Sequence, residues 1–171
     1  LWLFGYGSLI WNPGSIPFVR KVPAFVQGWK REFRQKSTDH RGTIDAPGRV
    51  VTLVPEPDAV CEGMAYEVPA NEVEETLKYL DYREKDNYDA CRLNLFGLVD
   101  GKLLSGNALC YIGKLETLFP EESNLNVIAS HISQSVGPSG KNSEYLLKLQ
   151  EGLARNGLAC PHVYEVAARL H

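Results

Sequence analysis

The pattern of apolar and polar positions divides the chain into a strand-rich first part and a helical last part. Large apolar side chains fill Leu1–Phe4 and Leu9–Trp11, on either side of a glycine-rich segment. This arrangement predicts a buried strand that ends in a turn. Gly5 and Gly7 flank Tyr6 in that turn, and without a Cβ they allow the main chain to approach a ligand closely. An isolated Gly-x-Gly is equally typical of a plain tight turn.

Short apolar-rich segments bounded by turn residues predict further strands. These segments are Phe25–Arg34, Arg49–Val54, Cys61–Val68, Ala90–Val99 and Lys102–Ile112. Asp100–Gly101 is a hairpin signal between the last two strands. The proline-rich segment Pro55–Asp58 predicts a turn that joins two others, and Ile16–Val22 is expected to be irregular.

Helical spacing begins at Pro69–Tyr82, where Val73, Leu77 and Leu80 recur on one face. Further helices are predicted at Asn124–Val136, Asn142–Asn156 and about Pro161–His171, with a break at Gly137–Gly140. Strands first, one helix between them and helices last indicate an α+β fold. We therefore expect one domain spanning residues 1–171, with a mixed or antiparallel, barrel-like sheet and flanking helices.

Composition narrows the classes of function. With 171 residues, 44% hydrophobic and 23% charged, the sequence is that of an ordinary globular protein. Its net charge of −3 argues against nucleic acid as a partner. No apolar run approaches the roughly 20 residues that cross a bilayer, and the apolar start lacks the basic region of a signal peptide. We expect a cytoplasmic protein, monomeric or homodimeric, that binds neither nucleic acid nor membrane.

Cysteine and histidine positions do not predict a metal site. Cys61, Cys91, Cys110 and Cys160 are widely spaced without a Cys-x-x-Cys pair, and the four histidines are equally scattered. Zinc sites usually contain closely spaced ligand pairs, and small secreted scaffolds carry denser cysteines. We expect free thiols in a reducing compartment, and no metal or cofactor.

Known nucleotide and nucleophile motifs are absent from the glycine-rich segment. Ile10 occupies the third glycine position of a dinucleotide fingerprint, no Gly-Lys-Ser/Thr follows, and Ser8 is not in a Gly-x-Ser-x-Gly elbow. Carboxylates are better candidates for chemistry. Glu75 and Glu84 lie nine positions apart, about 900° on a continuous helix, so they reach one site only if the helix ends near Asp81. Spacing alone favours a solvated helix face for Glu75, and for Glu84 a surface salt bridge with Arg83 or Lys85.

Five strings in the sequence together resemble one family. They are Phe4–Trp11, Ser37–Gly42, Pro47–Leu53, Tyr79–Lys85 and Gly137–Leu146. In this order they are similar to the ChaC-type, glutathione-specific γ-glutamylcyclotransferases. The resemblance implies conversion of glutathione to 5-oxoproline and cysteinylglycine without a metal or cofactor, through attack of the substrate's own α-amino group on its γ-carbonyl carbon.

The resemblance also implies roles for particular residues. The catalytic glutamate of the family falls on Glu84, which would transfer protons as acid and base. The expected substrate-binding residues are Phe4, Gly5, Tyr6, Gly7, Ser8, Leu9, Arg41, Arg49, Glu75 and Tyr145. Structural roles stay open for three of them: pairing of Arg41 or Arg49 with Asp39 or Asp45, and core packing of Tyr145.

Other functions remain open at this point. The cyclisation could release a different amino acid or an amine from another γ-glutamyl compound. A non-catalytic module could bind a γ-glutamyl ligand in the same pocket. Glu75 and Glu84 could also form the paired carboxylates of a hydrolase.

Overall fold

The computed structural model describes residues 1–84 and 87–171. Its strands are β1 (Trp2–Gly5), β2 (Arg20–Ser37), β3 (Gly48–Glu67), β4 (Tyr88–Gly97), β5 (Leu103–Gly113), β6 (Val136–Gly137) and β7 (Gly140–Lys141). Its helices are α1 (Val73–Glu84), α2 (Leu125–Gln134), α3 (Asn142–Arg155) and α4 (Pro161–Ala167). Short 3₁₀ turns lie at Ser8–Ile10, Ala70–Glu72 and Leu115–Thr117.

Among the described residues, β1 to β5 form a closed barrel in the order β1-β3-β2-β4-β5. Neighbouring strands are antiparallel except where β5 meets β1, in parallel, at Leu3 and Leu109. All four residues of β1 are buried, because this short strand lies between two others. The predicted α+β fold with a barrel-like mixed sheet is therefore confirmed.

The predicted turn at Pro55–Asp58 is wrong, because β3 continues through it as one strand from Gly48 to Glu67. The ladder with β2 shifts register there, passing from Gln27 opposite Val60 to Trp29 opposite Pro55. The proline-rich segment is therefore a bulge in a long strand. Proline lacks the N–H that a ladder needs, so a bulge accommodates it as well as a turn does.

Other boundaries shift without changing the architecture. β2 begins at Arg20, inside the segment predicted to be irregular. α1 begins only at Val73, after a 3₁₀ turn, and continues past the predicted end to Glu84. The hairpin at Asp100–Gly101 is confirmed, with a φ of 69° at Gly101. The glycine-rich break before α3 is itself a small hairpin, formed by β6 and β7.

The barrel and the C-terminal helices share one hydrophobic core. Inward side chains of the barrel, such as Phe4 and Tyr66, belong to the same buried cluster as Ile132 of α2, Leu149 of α3 and Val163 of α4. The cysteines are free: three are buried, and Cys91 is partly exposed. The C-terminal helices pack against β2 and β3. The turn after β1 lies beside the end of α1, where Arg83 donates a hydrogen bond to Ser8.

Candidate active site

The turn after β1 is held by hydrogen bonds to its carbonyl groups. Nε of Arg31, a buried residue of β2, donates to the Tyr6 carbonyl oxygen at 2.7 Å. The Tyr66 hydroxyl of β3 donates to the carbonyl oxygen of Leu9. Both donors belong to the barrel wall, so the rigid barrel fixes the path of the turn.

The N–H groups of this turn remain available. Within residues 1–84 and 87–171, no protein group accepts a hydrogen bond from the main-chain N–H of Gly7, Ser8 or Leu9. A Cβ at Gly7 would lie 3.2 Å from both the Tyr145 hydroxyl oxygen and a methyl carbon of Val51. Glycine at position 7 therefore lets the backbone pass close to Val51 and Tyr145. Consecutive main-chain N–H groups without a protein acceptor are suited to binding an anion or a carbonyl oxygen.

Glu84 is the last residue of α1, and its side chain is only 17% exposed. Burial raises the pKa of its carboxyl group above the ordinary value for glutamate. Electrostatic interactions with Arg83 and His40 oppose this rise in pKa, and the interaction with Asp39 adds to it. A carboxyl with a raised pKa exchanges protons closer to neutral pH, which suits a group that must both accept and donate one.

Tyr145 lies in the first part of α3 and is buried, at 7% exposure. Its hydroxyl oxygen accepts a hydrogen bond from the Val51 N–H of β3 at 3.3 Å. Trp11 packs edge-on against its ring, with the centroids 5.3 Å apart. Burial raises the pKa of this phenol, so the hydroxyl remains protonated and can donate a hydrogen bond.

Arg41 lies in the loop between β2 and β3 and is buried, at 9% exposure. Its Nη1 donates to the Lys141 carbonyl oxygen at 3.0 Å and lies 3.4 Å from a carboxylate oxygen of Glu144. Neither Asp39 nor Asp45 is its ion-pair partner within the described part of the chain. The guanidinium thus joins this loop to the start of α3.

These side chains face one cavity of about 450 Å³. Most residues predicted for the site line it: Phe4, Tyr6, Gly7, Ser8, Leu9, Arg41, Glu84 and Tyr145. Contributions come from the end of β1, the β2–β3 loop, the end of α1 and α3. The volume lies within the usual range for small-molecule sites.

Three predicted site residues do not line this cavity. A Cβ at Gly5 would come within 2.7 Å of the Leu9 Cβ, so Gly5 serves the packing of the turn. The side chain of Glu75 is 78% exposed, and its Oε1 lies 3.5 Å from Nζ of Lys78. Because α1 continues to Glu84, the two glutamates lie on different sides of this helix.

Arg49 is the third predicted residue outside the cavity, and it has a structural environment. Its Nε donates to Nδ1 of His131 at 2.9 Å, and its Nη1 donates to the Phe33 carbonyl oxygen at 2.9 Å. The guanidinium also stacks 4.3 Å from the ring centroid of Phe119. Burial lowers the pKa of Arg49, consistent with a cation held inside the protein.

Several residues that line the cavity were not predicted as site residues. They include Trp11, Tyr79, Arg83, Asn87, Tyr88 and Lys148. Two of them carry a helical signal: Tyr79 precedes Arg83 by one turn of α1, and Lys148 follows Tyr145 by one turn of α3. For Asn87 and Tyr88 the signal is that they follow the predicted catalytic Glu84 by three and four positions.

The described residues provide no cluster of three or more histidine, cysteine or acidic side chains suited to a metal ion. None of the helices described is both long and apolar enough to cross a membrane. Lys85, which was a possible salt-bridge partner of Glu84, lies outside the described residues.

Fold and site together define a γ-glutamylcyclotransferase-like protein. The structure is similar to a crystal structure of a yeast γ-glutamyl cyclotransferase specific to glutathione, with a TM-score of 0.89 and 29% identity over 99% of this chain and 95% of that one. A second solved γ-glutamyl cyclotransferase, at 17% identity and a TM-score of 0.60, shares the fold.

Sequence comparison identifies the family within this fold. The chain belongs to the ChaC-like protein family, whose pattern matches residues 1–168. It is 39% identical to gamma-glutamylcyclotransferase 2-3 of Arabidopsis thaliana, over 98% of this chain and 86% of that protein. It is 36% identical to glutathione-specific gamma-glutamylcyclotransferase 1 of Danio rerio, over 99% of this chain and 88% of that protein.

Proposed function

We propose that this protein is a glutathione-specific γ-glutamylcyclotransferase, which converts glutathione to 5-oxoproline and cysteinylglycine. One observation carries the proposal: the largely buried Glu84, whose carboxyl has a raised pKa, lines the same cavity as Gly7, Ser8 and Leu9, and no described residue accepts a hydrogen bond from the main-chain N–H groups of these three. The names of the zebrafish relative and of the yeast structure support glutathione as the substrate.

The reaction is an intramolecular aminolysis. The α-amino nitrogen of the substrate forms a bond to its own γ-carbonyl carbon, and the amide bond from that carbon to the cysteine nitrogen breaks. The α-ammonium nitrogen loses two protons on becoming the lactam N–H, and the departing nitrogen of cysteinylglycine gains two. Glu84 accepts one proton at a time from the α-nitrogen and passes it to the departing nitrogen, so it ends as the carboxylate again. A bound, folded γ-glutamyl arm brings the reacting atoms together, so the protein needs to supply orientation and proton transfer but no nucleophile.

The opening turn and its neighbours would hold the substrate in this geometry. The N–H groups of Gly7, Ser8 and Leu9 would stabilise negative charge on the attacked carbonyl oxygen. The Tyr145 hydroxyl would donate a hydrogen bond to the γ-glutamyl group, and Arg41 would pair with a substrate carboxylate. Phe4 and Tyr6 contribute the apolar wall behind the turn. Glu75, Gly5 and Arg49 receive no substrate contact in this proposal.

The decisive assay incubates the purified protein with glutathione and measures 5-oxoproline and cysteinylglycine. We expect both products in equal amounts, and a loss of about 10²-fold or more in kcat for Glu84→Gln. Glu75→Gln is the matched control, because it makes the same change on the exposed side of α1, and it should retain full activity. Full activity of Glu84→Gln would remove the assignment.

Two rivals are tested in the same assay. Faster turnover of γ-glutamylalanine than of glutathione would assign the enzyme to other γ-glutamyl compounds. Binding of glutathione without any product would indicate a binding module instead. We expect neither, since a module would not need a buried carboxyl group beside the turn.

We further propose that residues 1–171 act as one catalytic domain, as a monomer or homodimer, in the cytoplasm. The hydrophobic core common to the barrel and the C-terminal helices supports the single domain. The four free cysteines support a reducing compartment.

A further inference from the structure

Arg83 contacts two parts of the cavity wall: Glu84 at the end of α1 and the turn after β1. It precedes Glu84 in the last turn of α1, and its Nε lies 3.6 Å from a carboxylate oxygen of Glu84. Its Nη2 donates to the Ser8 hydroxyl oxygen at 3.1 Å, and the same atom lies 3.5 Å from the Asn12 carbonyl oxygen. One guanidinium therefore contacts the carboxyl group at the end of α1 and the turn after β1.

We infer that Arg83 is a positioning residue, which holds the Glu84 carboxylate at a fixed place relative to the opening turn. The inference rests on the proposed function, because it assigns Glu84 the proton transfer and the turn the substrate carbonyl. α1 and β1 are far apart in sequence, and the long side chain of Arg83 joins the end of one to the turn after the other. The planar guanidinium of Arg83 carries N–H donors on several sides, so it can contact the Glu84 carboxylate and the Ser8 hydroxyl together. The side chain of Arg83 is 23% exposed, which is compatible with a rigid geometry at the edge of the cavity.

The charge of Arg83 has a second consequence. Burial raises the pKa of Glu84, and Arg83 is the largest of the influences that lower it. His40 also lowers the pKa of Glu84, and Asp39 raises it. Four phenols also interact with Glu84, and burial raises their pKa values so that they stay neutral: Tyr6, Tyr88, Tyr111 and Tyr145. The cations that line the same cavity besides Arg83 and His40 are Lys36, Arg41 and Lys148. Removal of the Arg83 charge should therefore raise the pKa of Glu84 further.

Arg83→Gln and Arg83→Lys separate position from charge. For Arg83→Gln we expect kcat on glutathione to fall by about 10², because a carboxylate displaced by even 1 Å transfers protons poorly. The acid limb of its kcat/KM profile should move to higher pH. Arg83→Lys keeps the charge but loses the fork, so its acid limb should stay near that of the wild type while kcat recovers only in part. Arg20→Gln, which removes an exposed arginine paired with Glu67 on the barrel surface, is the control.

A double-mutant cycle with Ser8→Ala tests the contact with the turn. Ser8→Ala removes the hydroxyl that accepts from Arg83 but leaves the main-chain N–H in place. If the two side chains act through their hydrogen bond, the loss caused by Ser8→Ala should be clearly smaller in the Arg83→Gln background than in the wild type. The inference would be overturned if the activity losses of Ser8→Ala and Arg83→Gln simply multiply in the double variant. It would also be overturned if the acid limb of the kcat/KM profile of Arg83→Gln stays at the pH of the wild type.

Direct titration of the Glu84 carboxyl by ¹³C NMR, assigned by comparison with Glu84→Gln, keeps this test independent of turnover. An inactive wild-type protein would refute the proposed function. A higher Glu84 pKa in Arg83→Gln than in the wild type would still support the link between the two side chains, and an unchanged pKa would refute it. If Arg83→Gln fails to fold, Arg83→Lys and Ser8→Ala test the inference instead, through their kcat and the acid limb of their kcat/KM profiles.

Discussion

The Glu84 carboxyl lies in an environment that favours its neutral form, and this has a measurable effect on stability. Its pKa is higher in the folded state than in the unfolded chain, because burial disfavours the charge. Between the two pKa values the folded state binds more protons, so the contribution of this group to the free energy of unfolding decreases as pH rises. The loss begins above the ordinary glutamate pKa of about 4.3 and is complete above the raised folded value.

We therefore expect Glu84→Gln to unfold at a higher temperature than the wild type at pH 7, although it loses activity. The difference in Tm should shrink as the pH falls below about 4.3, where the wild-type carboxyl becomes protonated in the unfolded state as well. Calorimetry of both proteins across this pH range measures the effect. Glu75→Gln should differ from the wild type by less than about 0.5 kcal/mol at every pH, since its side chain is exposed. A Glu84→Gln variant less stable than the wild type at pH 7 would contradict the burial argument.

Single residue types were poor guides to position in the site. Arg41 and Arg49 lie eight positions apart in the sequence, and both are predicted to bind the substrate. Only Arg41 lines the cavity, because Arg49 is engaged by His131 of α2 and the Phe33 carbonyl of β2. Those partners come from distant parts of the chain, so no local pattern could separate the two arginines. The prediction of Glu84 as the catalytic residue rests on resemblance to a family, since spacing alone indicates a salt bridge, and Arg83 does form one with it.

The start of α3 is joined to the edge of β3 by one side chain. Asn142 is fully buried, its Oδ1 accepts from the Arg49 N–H at 2.8 Å, and its Nδ2 donates to the Arg49 carbonyl oxygen at 2.8 Å. The amide thus supplies the pair of hydrogen bonds that a further strand would give. It fixes the β6–β7 hairpin, and with it the Arg41 loop, against the barrel.

We expect Asn142→Ala to lower the free energy of unfolding by about 2 to 4 kcal/mol, because it leaves a buried N–H and a buried carbonyl oxygen without partners. Urea denaturation followed by fluorescence measures the change. The variant should also have a raised KM for glutathione, since Tyr145 and Arg41 depend on the same junction. Asn126→Ala, on the exposed side of α2, is the control and should change stability by less than about 0.5 kcal/mol. Equal stability of the two variants would show that the junction does not depend on this amide.

The boundaries of an element can be predicted where its own residues determine them. The prediction is wrong where pairing with a distant strand determines them. The Asp100–Gly101 hairpin follows from its turn residues alone. The segment at Pro55 and Pro57 has the composition of a turn, but the long partner strand β2 lies alongside on both sides of it and keeps β3 continuous. α1 likewise continues to Glu84, and this places the carboxyl at the cavity. Sequence patterns report preferences of short segments, and pairing with β2 overrides that preference at Pro55 and Pro57.

Closure of the barrel and the position of the turn after β1 depend on the same short strand. β1 pairs with β3 on one side and with β5 on the other, and its last residue, Gly5, leads directly into the turn. Gly63 of β3 lies against this point. A Cβ there would come within 2.4 Å of the Gly5 carbonyl oxygen and within 2.8 Å of the Phe4 ring. Backbone and a buried aromatic side chain offer little room to move, so the molecule needs glycine at this position.

We expect Gly63→Ala to destabilise the whole protein by about 3 kcal/mol, because overpacking at this point displaces β1 from the barrel. The turn moves with β1, so kcat on glutathione should fall in the fraction that remains folded. Denaturation and activity measured on the same samples test both consequences. Gly106→Ala on β5, where the nearest atom to a new Cβ lies 3.5 Å away, is the control and should be close to neutral. A stable but inactive Gly63→Ala would mean that the turn can move while the barrel stays closed. Wild-type stability and activity would contradict the claim that a Cβ at this position has no room beside the Gly5 carbonyl oxygen.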